Sequence, residues 1–287
     1  LLLCVGTRDA YIEKDNKTIL SDSDFMIHFD RKKSKVIQKW DLADHLDVSR
    51  DDLNFFRGGD WLHMNALEFD SRDSTIIVSG RNQGLLKVSW DDKLKWIMSP
   101  KQNWGASGRK GKGYETKPYL LTAISSEGVP YSKDIQTGHK SADDFDFPWG
   151  PHAPSLLPNG NIIVFDNGPF RNYNNENNYS RAVEYEIDET NKTFKQVWQY
   201  GKERGVKLFS SIVSDVDFLP LTKNILMTSG FVSPKNIHRA KIVEVSPEDN
   251  SEVFEATVFF KSTNKGSKPG WGQTDILYRS ERMELKN

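Results

Sequence analysis

Three stretches of this chain follow one plan: four short apolar runs joined by tight polar turns. The first reads NALEFD, STIIVSGRN, GLLKVSW and KLKWIMS. The second reads APSLLPNG, NIIVFDNG, RAVEYEID and FKQVWQY, and the third SDVDFLP, NILMTSGF, AKIVEVSP and SEVFEATVFF. Runs rich in Val, Ile, Phe, Tyr and Trp, bounded by Gly, Asn, Asp and Pro, are strand signals, so each unit is a four-stranded meander. The opening runs LLLCVG, DFMIHFD and KVIQKWDL supply the last three strands of a further unit. The last strand of each unit carries an aromatic residue: Trp40, Trp96, Trp198 and Phe254. Trp40 and Trp96 stand as far apart as Trp198 and Phe254. The longer step from Trp96 to Trp198 contains an insertion, residues 99–147.

A four-stranded unit cannot cover both of its own apolar faces, so successive units must stack. The expected fold is all-β, a β-propeller with about four blades in this chain. A β-sandwich, or two small β-domains, is the other arrangement such strands allow. A closed ring needs more blades, and the chain opens on LLLCVG, in mid-strand and without Met. The expectation is therefore part of a single propeller domain, residues 1–287, whose first blades lie upstream. LLLCVG is too short to span a membrane.

Composition narrows the function classes. Net charge is −1, from 39 basic and 40 acidic residues. That balance gives no electrostatic reason to expect nucleic acid or an anionic membrane as partner. A single cysteine, Cys4, excludes an internal disulfide and a Cys-rich metal site.

The repeat gives meaning to two histidines. His63 in DWLHMN and His152 in PWGPHAP both stand just before the first strand of a unit. In a propeller that strand lines the central channel, and the turn after the second strand opens on the same rim. Those turns read VGTRD, SGRNQ, NGPFRN and SGFVS, and they deliver Arg8, Arg81 and Arg171. Guanidinium forks suit an oxyanion, and histidine adds a donor, a proton or a nucleophilic nitrogen. Asn65, Asn82 and Asn167 offer neutral donors beside them, and Trp61, Trp149, Phe170 and Phe231 offer surfaces for a flat apolar ligand. Read blandly, the histidines are structural hydrogen-bonders and the arginines solvated. Two histidines without cysteines or a well-spaced carboxylate are a poor zinc signal, and neither a metal nor another cofactor is expected.

The stretches DWLHMN, IIVSGRNQG, FDFPWGPHA, FDNGPFRNY, SRAVEYEID and VWQYGKERG resemble the bacterial arylsulfate sulfotransferases that work without PAPS, over roughly residues 25–260. The resemblance implies a six-bladed propeller behind a small N-terminal β-domain, a periplasmic location and a homodimer. It implies ping-pong transfer of a sulfuryl group from a phenolic sulfate ester to a phenol through a sulfurylated histidine, without a nucleotide cofactor. His63 matches the first family histidine, His152 the second, and Arg171 the arginine after DNG. Arg81, Asn167 and Trp149 are the expected substrate contacts. Two departures stand out. Ser233 occupies the place of the sulfurylated histidine, so His238, five residues later, is the expected nucleophile. The cysteine pair that some members carry in the insertion is absent here. The Gly- and Lys-rich start of the insertion, KQNWGASGRKGKGYETKPY, reads either as a lid over the site or as a plain surface loop. The competing functions are a non-catalytic propeller that binds an anionic aromatic ligand, its nucleophile lost, and a metal-assisted hydrolase.

Overall fold

Short apolar runs with tight turns between them fold as hairpins, and hairpins make up the four sheets of this chain. The computed structural model describes residues 1–14, 17–54, 59–176, 178–233, 238–260 and 275–283, without the side chains of residues 8–14, 17–19 and 23. The first sheet is an antiparallel meander of β1 (Leu2–Lys14), β2 (Lys17–Asp30) and β3 (Lys35–Asp41). The second runs β4 (Met64–Asp70), β5 (Thr75–Gly80), β6 (Gly84–Ser89) and β7 (Leu94–Met98). After β8 (Thr122–Ala123) in the insertion, the third sheet is built from β9 (Pro151–Leu156), β10 (Ile162–Asp166), β11 (Arg181–Asp188) and β12 (Thr193–Tyr200). The fourth runs β13 (Asp215–Phe218), β14 (Ile225–Val232), β15 (Arg239–Val245) and β16 (Glu252–Phe259). The three repeats of the sequence are thus the three four-strand meanders, and β8 adds in parallel to the outer edge of the third sheet.

Side chains alternate between the two faces of a strand, and in the inner strands β5, β6 and β10 both faces are buried. In β5, Ile76 and Val78 join a core shared with Met26 and Trp40 of the first sheet, whereas Ile77 points the other way. Ile77 packs with Val164, Val183 and Tyr185 of the third sheet. In β10, Ile162 and Val164 face that second core, and Ile163 and Phe165 face a third core with Val216, Met227 and Val243. The sheets therefore stack face to face in chain order. At one edge of the stack β9 packs against both β4 and β13, and β4 against β1.

Of its two readings, the insertion takes the surface one. Arg109 forks onto Asp41 at 2.7 and 2.9 Å, Gly105 N–H donates to Asp47 at 2.7 Å, and Tyr114 OH lies 2.9 Å from His45 Nδ1. Farther on, Leu120 bridges to Ile97 of β7 and β8 pairs with β12. These contacts tie the insertion down along the outer strands. Among the described residues no helix is long and apolar enough to cross a membrane.

Candidate functional site

The entries to the first strands share a backbone feature. His63, immediately before β4, has φ +51°; Gly150, immediately before β9, has φ +62°; Val213 and Ser214, before β13, have φ +53° and +91°. Glycine adopts the left-handed region freely, but a histidine and above all a β-branched valine do not. Such conformations cost on the order of 1 kcal/mol or more and persist only when neighbours fix them.

The neighbours do fix them here. Arg81 N–H donates to the His63 carbonyl and Asn82 N–H to the Leu62 carbonyl, both at 3.1 Å. The Asn82 amide donates to the Asp60 carbonyl at 2.7 Å, and the Gln83 amide to that of Trp61 at 3.0 Å. The turn after β5 thus clamps residues 60–63. At β13 the Asn167 amide donates to the carbonyls of Ser210 and Val213 at 2.6 and 3.1 Å.

This geometry corrects the equivalence expected for the two histidines. The residue in the place of His63 is Gly150; His152 is the second residue of β9, opposite Phe165. A register shift next to it, with Ala153 at φ +49°, bends β9. Both histidines nevertheless reach one cavity of about 480 Å³, lined on its polar side by Asp60, His63, Asn65, Arg81, His152 and Asn167. Its apolar side is Met64, Ile212, Val213 and Tyr278.

Each polar group in the cavity has a defined state. His63 is exposed, and its Nδ1 is hydrogen-bonded to the Asp60 carboxylate. Behind it, Asp24 of β2 accepts the Met64 N–H at 3.0 Å, and burial pushes its carboxyl up to about 6. The Arg81 guanidinium is buried and donates to the Ser211 carbonyl at 2.7 Å. Burial lowers Arg81 to about 10, with Asp60 opposing the shift, so it stays cationic at neutral pH. His152 is half-buried, and its Nδ1 has no hydrogen-bond partner among the described residues. Burial first, then the positive charges of Arg81 and His63, push it down to about 4; a hydrogen bond to the Ser214 backbone opposes them. At neutral pH its ring is uncharged. The Asn65 amide donates to the Pro151 carbonyl at 2.8 Å.

The structure thus gathers His63, Arg81, His152 and Asn167 around one space. It does not bring the other predicted residues there. Arg171 is 1% exposed and spends its guanidinium on Asp146 at 2.7 Å, Asp166 at 2.9 Å and the Tyr179 carbonyl at 3.1 Å. Left-handed residues Phe170 and Asn172 flank it in the turn after β10. Gly168, at φ +78°, makes the close approach possible: a Cβ there would lie 1.7 Å from the Tyr179 carbonyl oxygen. Trp149 is a core residue, its indole N–H donating to Asp146 at 3.0 Å. His238 stacks on Phe231 at 5.3 Å, away from the cavity wall, with both ring nitrogens buried and unpartnered among the described residues. The side chain of Arg8 lies outside the described residues.

Sequence reasoning missed Asp24, Asp60, Ile212, Val213 and Tyr278. Asp60 carries a local signal, three residues before His63 in DWLH. Tyr278 carries none: it comes from segment 275–283, which runs beside β14 through Leu277 N–H to the Gly230 carbonyl at 3.1 Å. Among the described residues no three His, Cys, Asp or Glu side chains converge as metal ligands.

A stack of antiparallel meanders with an arginine- and histidine-bearing cavity at the strand entries is the setting in which the chain's relationships fall. It belongs to the arylsulfotransferase (ASST) family, whose model matches residues 1–267. Among curated proteins it is 31% identical to the arylsulfate sulfotransferase AssT of Lelliottia amnigena, over 87% of this chain and 46% of the relative. It is 30% identical to the arylsulfate sulfotransferase AssT of Escherichia coli O6:H1 strain CFT073, over 76% of this chain and 41% of the relative. The chain thus spans less than half the length of these relatives.

Proposed function

We propose that this chain carries the catalytic site of an aryl-sulfate sulfotransferase, which moves a sulfuryl group from a phenolic sulfate ester to a phenol by a ping-pong route. The observation that carries the reading is the pairing of His152 and Arg81 in one cavity. His152 brings an uncharged ring whose Nδ1 is buried and has no partner among the described residues, and Arg81 offers a fixed positive charge.

In this reading the ester sits with its sulfuryl oxygens toward Arg81 and its ring against Met64, Ile212, Val213 and Tyr278. The His152 ring turns to bring its Nδ1 into the cavity and the lone pair attacks sulfur; the N–S bond forms as the S–O bond to the aryl group breaks. The electron pair stays on the phenolic oxygen, which takes a proton from His63. A second phenol then gives its proton to His63 and attacks the sulfur, freeing His152. Charge on the sulfuryl oxygens in the transition state is stabilised by a donor already in place, so the site need not reorganise. The nucleophile's role goes to His152 rather than His238, because His238 lies on Phe231 outside the cavity wall. Arg171 and Trp149 act as the frame beneath the site.

The stacked sheets are, in the same reading, blades of a propeller around the edge where β4, β9 and β13 meet. The periplasmic location and the homodimer rest on the family resemblance alone.

The test is to mix the protein with 4-nitrophenyl sulfate, without acceptor, and map any sulfuryl adduct by intact-mass and peptide mass spectrometry. An acid-labile adduct on His152 supports the reading. An adduct on His238 transfers the nucleophile's role to that residue. No adduct, and no nitrophenol released on adding phenol, leaves a propeller that only binds anionic aromatic ligands.

A further inference from the structure

We infer that Asp60 is a positioning residue: it holds His63 with the proton on Nδ1, so that Nε2 is the nitrogen that serves the phenolic oxygen. The inference rests on the role given to His63 in the proposed function and adds the device that makes that role possible.

Four observations carry it. A carboxylate only accepts, so the bond between Asp60 and His63 Nδ1 places the hydrogen on Nδ1 and fixes the tautomer. The anchor is itself anchored, because the Asp60 carbonyl accepts the amides of Asn82 at 2.7 Å and Asn54 at 3.3 Å. The ring's backbone is held in a left-handed conformation that histidine seldom adopts, pinned by Arg81 N–H. Strain of this kind, kept at a cavity wall, is a mark of a side chain aimed for use. Finally, both Asp60 and His63 line the cavity, so the pair acts at the reacting space and not beneath it.

The chemistry follows. When the S–O bond to the aryl group breaks, the leaving phenolate needs a proton in proportion to its basicity. A histidine in the wrong tautomer, or free to turn, supplies it poorly. The loss must therefore depend on the donor: large for phenyl sulfate, whose phenol is basic, and small for 4-nitrophenyl sulfate, whose phenolate leaves unaided. A structural defect or a weaker hold on the sulfuryl group would affect both donors alike.

The experiment compares Asp60→Asn, Asp60→Glu and His63→Gln with the parent protein, measuring kcat and KM for both donors at saturating acceptor. Melting temperature is measured beside them. For Asp60→Asn the expected result is a fall in kcat of roughly ten- to a hundredfold with phenyl sulfate and only a few-fold with 4-nitrophenyl sulfate. KM should be little changed. Asp60→Glu should recover part of the loss, because it restores a carboxylate acceptor. His63→Gln should show the same dependence on donor. If His63→Gln shows it and Asp60→Asn does not, the positioning inference falls and the proposed role of His63 stands. If His63→Gln shows no dependence on donor, both fall. Equal losses with the two donors in Asp60→Asn, with a lowered melting temperature, make Asp60 a structural residue and overturn the inference.

Discussion

Trp96 donates its indole N–H to Glu189 at 3.0 Å, and the two residues belong to neighbouring sheets. Trp198 repeats the relation one sheet farther on, donating to Asn250 at 2.8 Å. Both acceptors stand in the turn between the third and fourth strands of the next sheet. In the second and third sheets the last-strand tryptophan is thus a peg to the next sheet, whereas the Trp40 indole N–H is buried without a partner among the described residues. Trp96 is almost wholly buried and Trp198 only half so. Trp96→Ala should therefore cost about 3–5 kcal/mol, the range for emptying a large buried site. Trp198→Ala should cost clearly less. Urea unfolding of the two variants checks this, and equal costs would contradict the ranking.

Arg171 invites a test that separates frame from site. It is one of two arginines on Asp166, the other being Arg181 at 2.8 Å, and it holds Asp146 at 2.7 Å. Breaking a buried ion pair from one side strands the other charge, at a cost of about 3 kcal/mol or more. Arg171→Ala should lower the melting temperature sharply. Arg171→Lys keeps the charge but loses the fork, so it should melt lower while its folded fraction keeps the parent KM for the sulfate ester. A raised KM with unchanged melting would place Arg171 in the binding site after all.

What the sequence made legible was whatever depends on local pattern. The runs STIIVSG and NIIVFDN are apolar at consecutive positions, as strands covered on both faces must be, and they became β5 and β10. His63, Arg81, His152 and Asn167 were legible because a strand entry and the turn beside it are fixed by short-range spacing. Three things were not legible. The pairing of Met64 with Gly80 and of Pro151 with Asp166 makes Gly150 the counterpart of His63 and Asn65 that of His152, a two-residue offset that local spacing does not reveal. Two left-handed residues around Arg171 set it beneath the sheet, and no propensity for Phe170 foretells that. Asp24 and Tyr278 reach the site only through stacking between distant segments, which leaves no trace in local spacing.

Arg81 should govern affinity for the ester. It is the cation of the cavity wall whose guanidinium is buried, where charge-assisted bonds are strongest. Losing a hydrogen bond to a charged group costs about 1.5–3 kcal/mol. Arg81→Gln should therefore raise KM for 4-nitrophenyl sulfate by roughly ten- to a hundredfold at constant ionic strength. Arg81→Lys should fall between, since a point charge cannot reproduce the fork. Unchanged KM in Arg81→Gln would remove Arg81 from the sulfuryl subsite.

The state of His152 can be read from pH. Its folded value is about 4 against an ordinary 6.5, chiefly because burial disfavours the charged ring. Between those values the unfolded chain binds a proton that the folded chain does not. Stability from this group is therefore complete above about pH 6.5 and lost as pH falls toward 4. Allowing for partial exposure, the loss is on the order of 2 kcal/mol. Asp24 runs the other way: its carboxyl is raised from 3.8 to about 6, so its ionisation weakens the fold as pH rises through that interval. Comparing the protein with His152→Gln cancels the Asp24 contribution to first order. The variant should gain stability relative to the parent as pH drops from 6.5 to 4, followed by urea titrations at each pH. In the same window the single-turnover rate of sulfurylation should hold level down to about pH 5 before falling, because the nucleophile stays uncharged. A stability difference that ignores pH, with a rate already falling at pH 7, would mean that the His152 ring carries a proton in the folded protein and is not the sulfuryl acceptor.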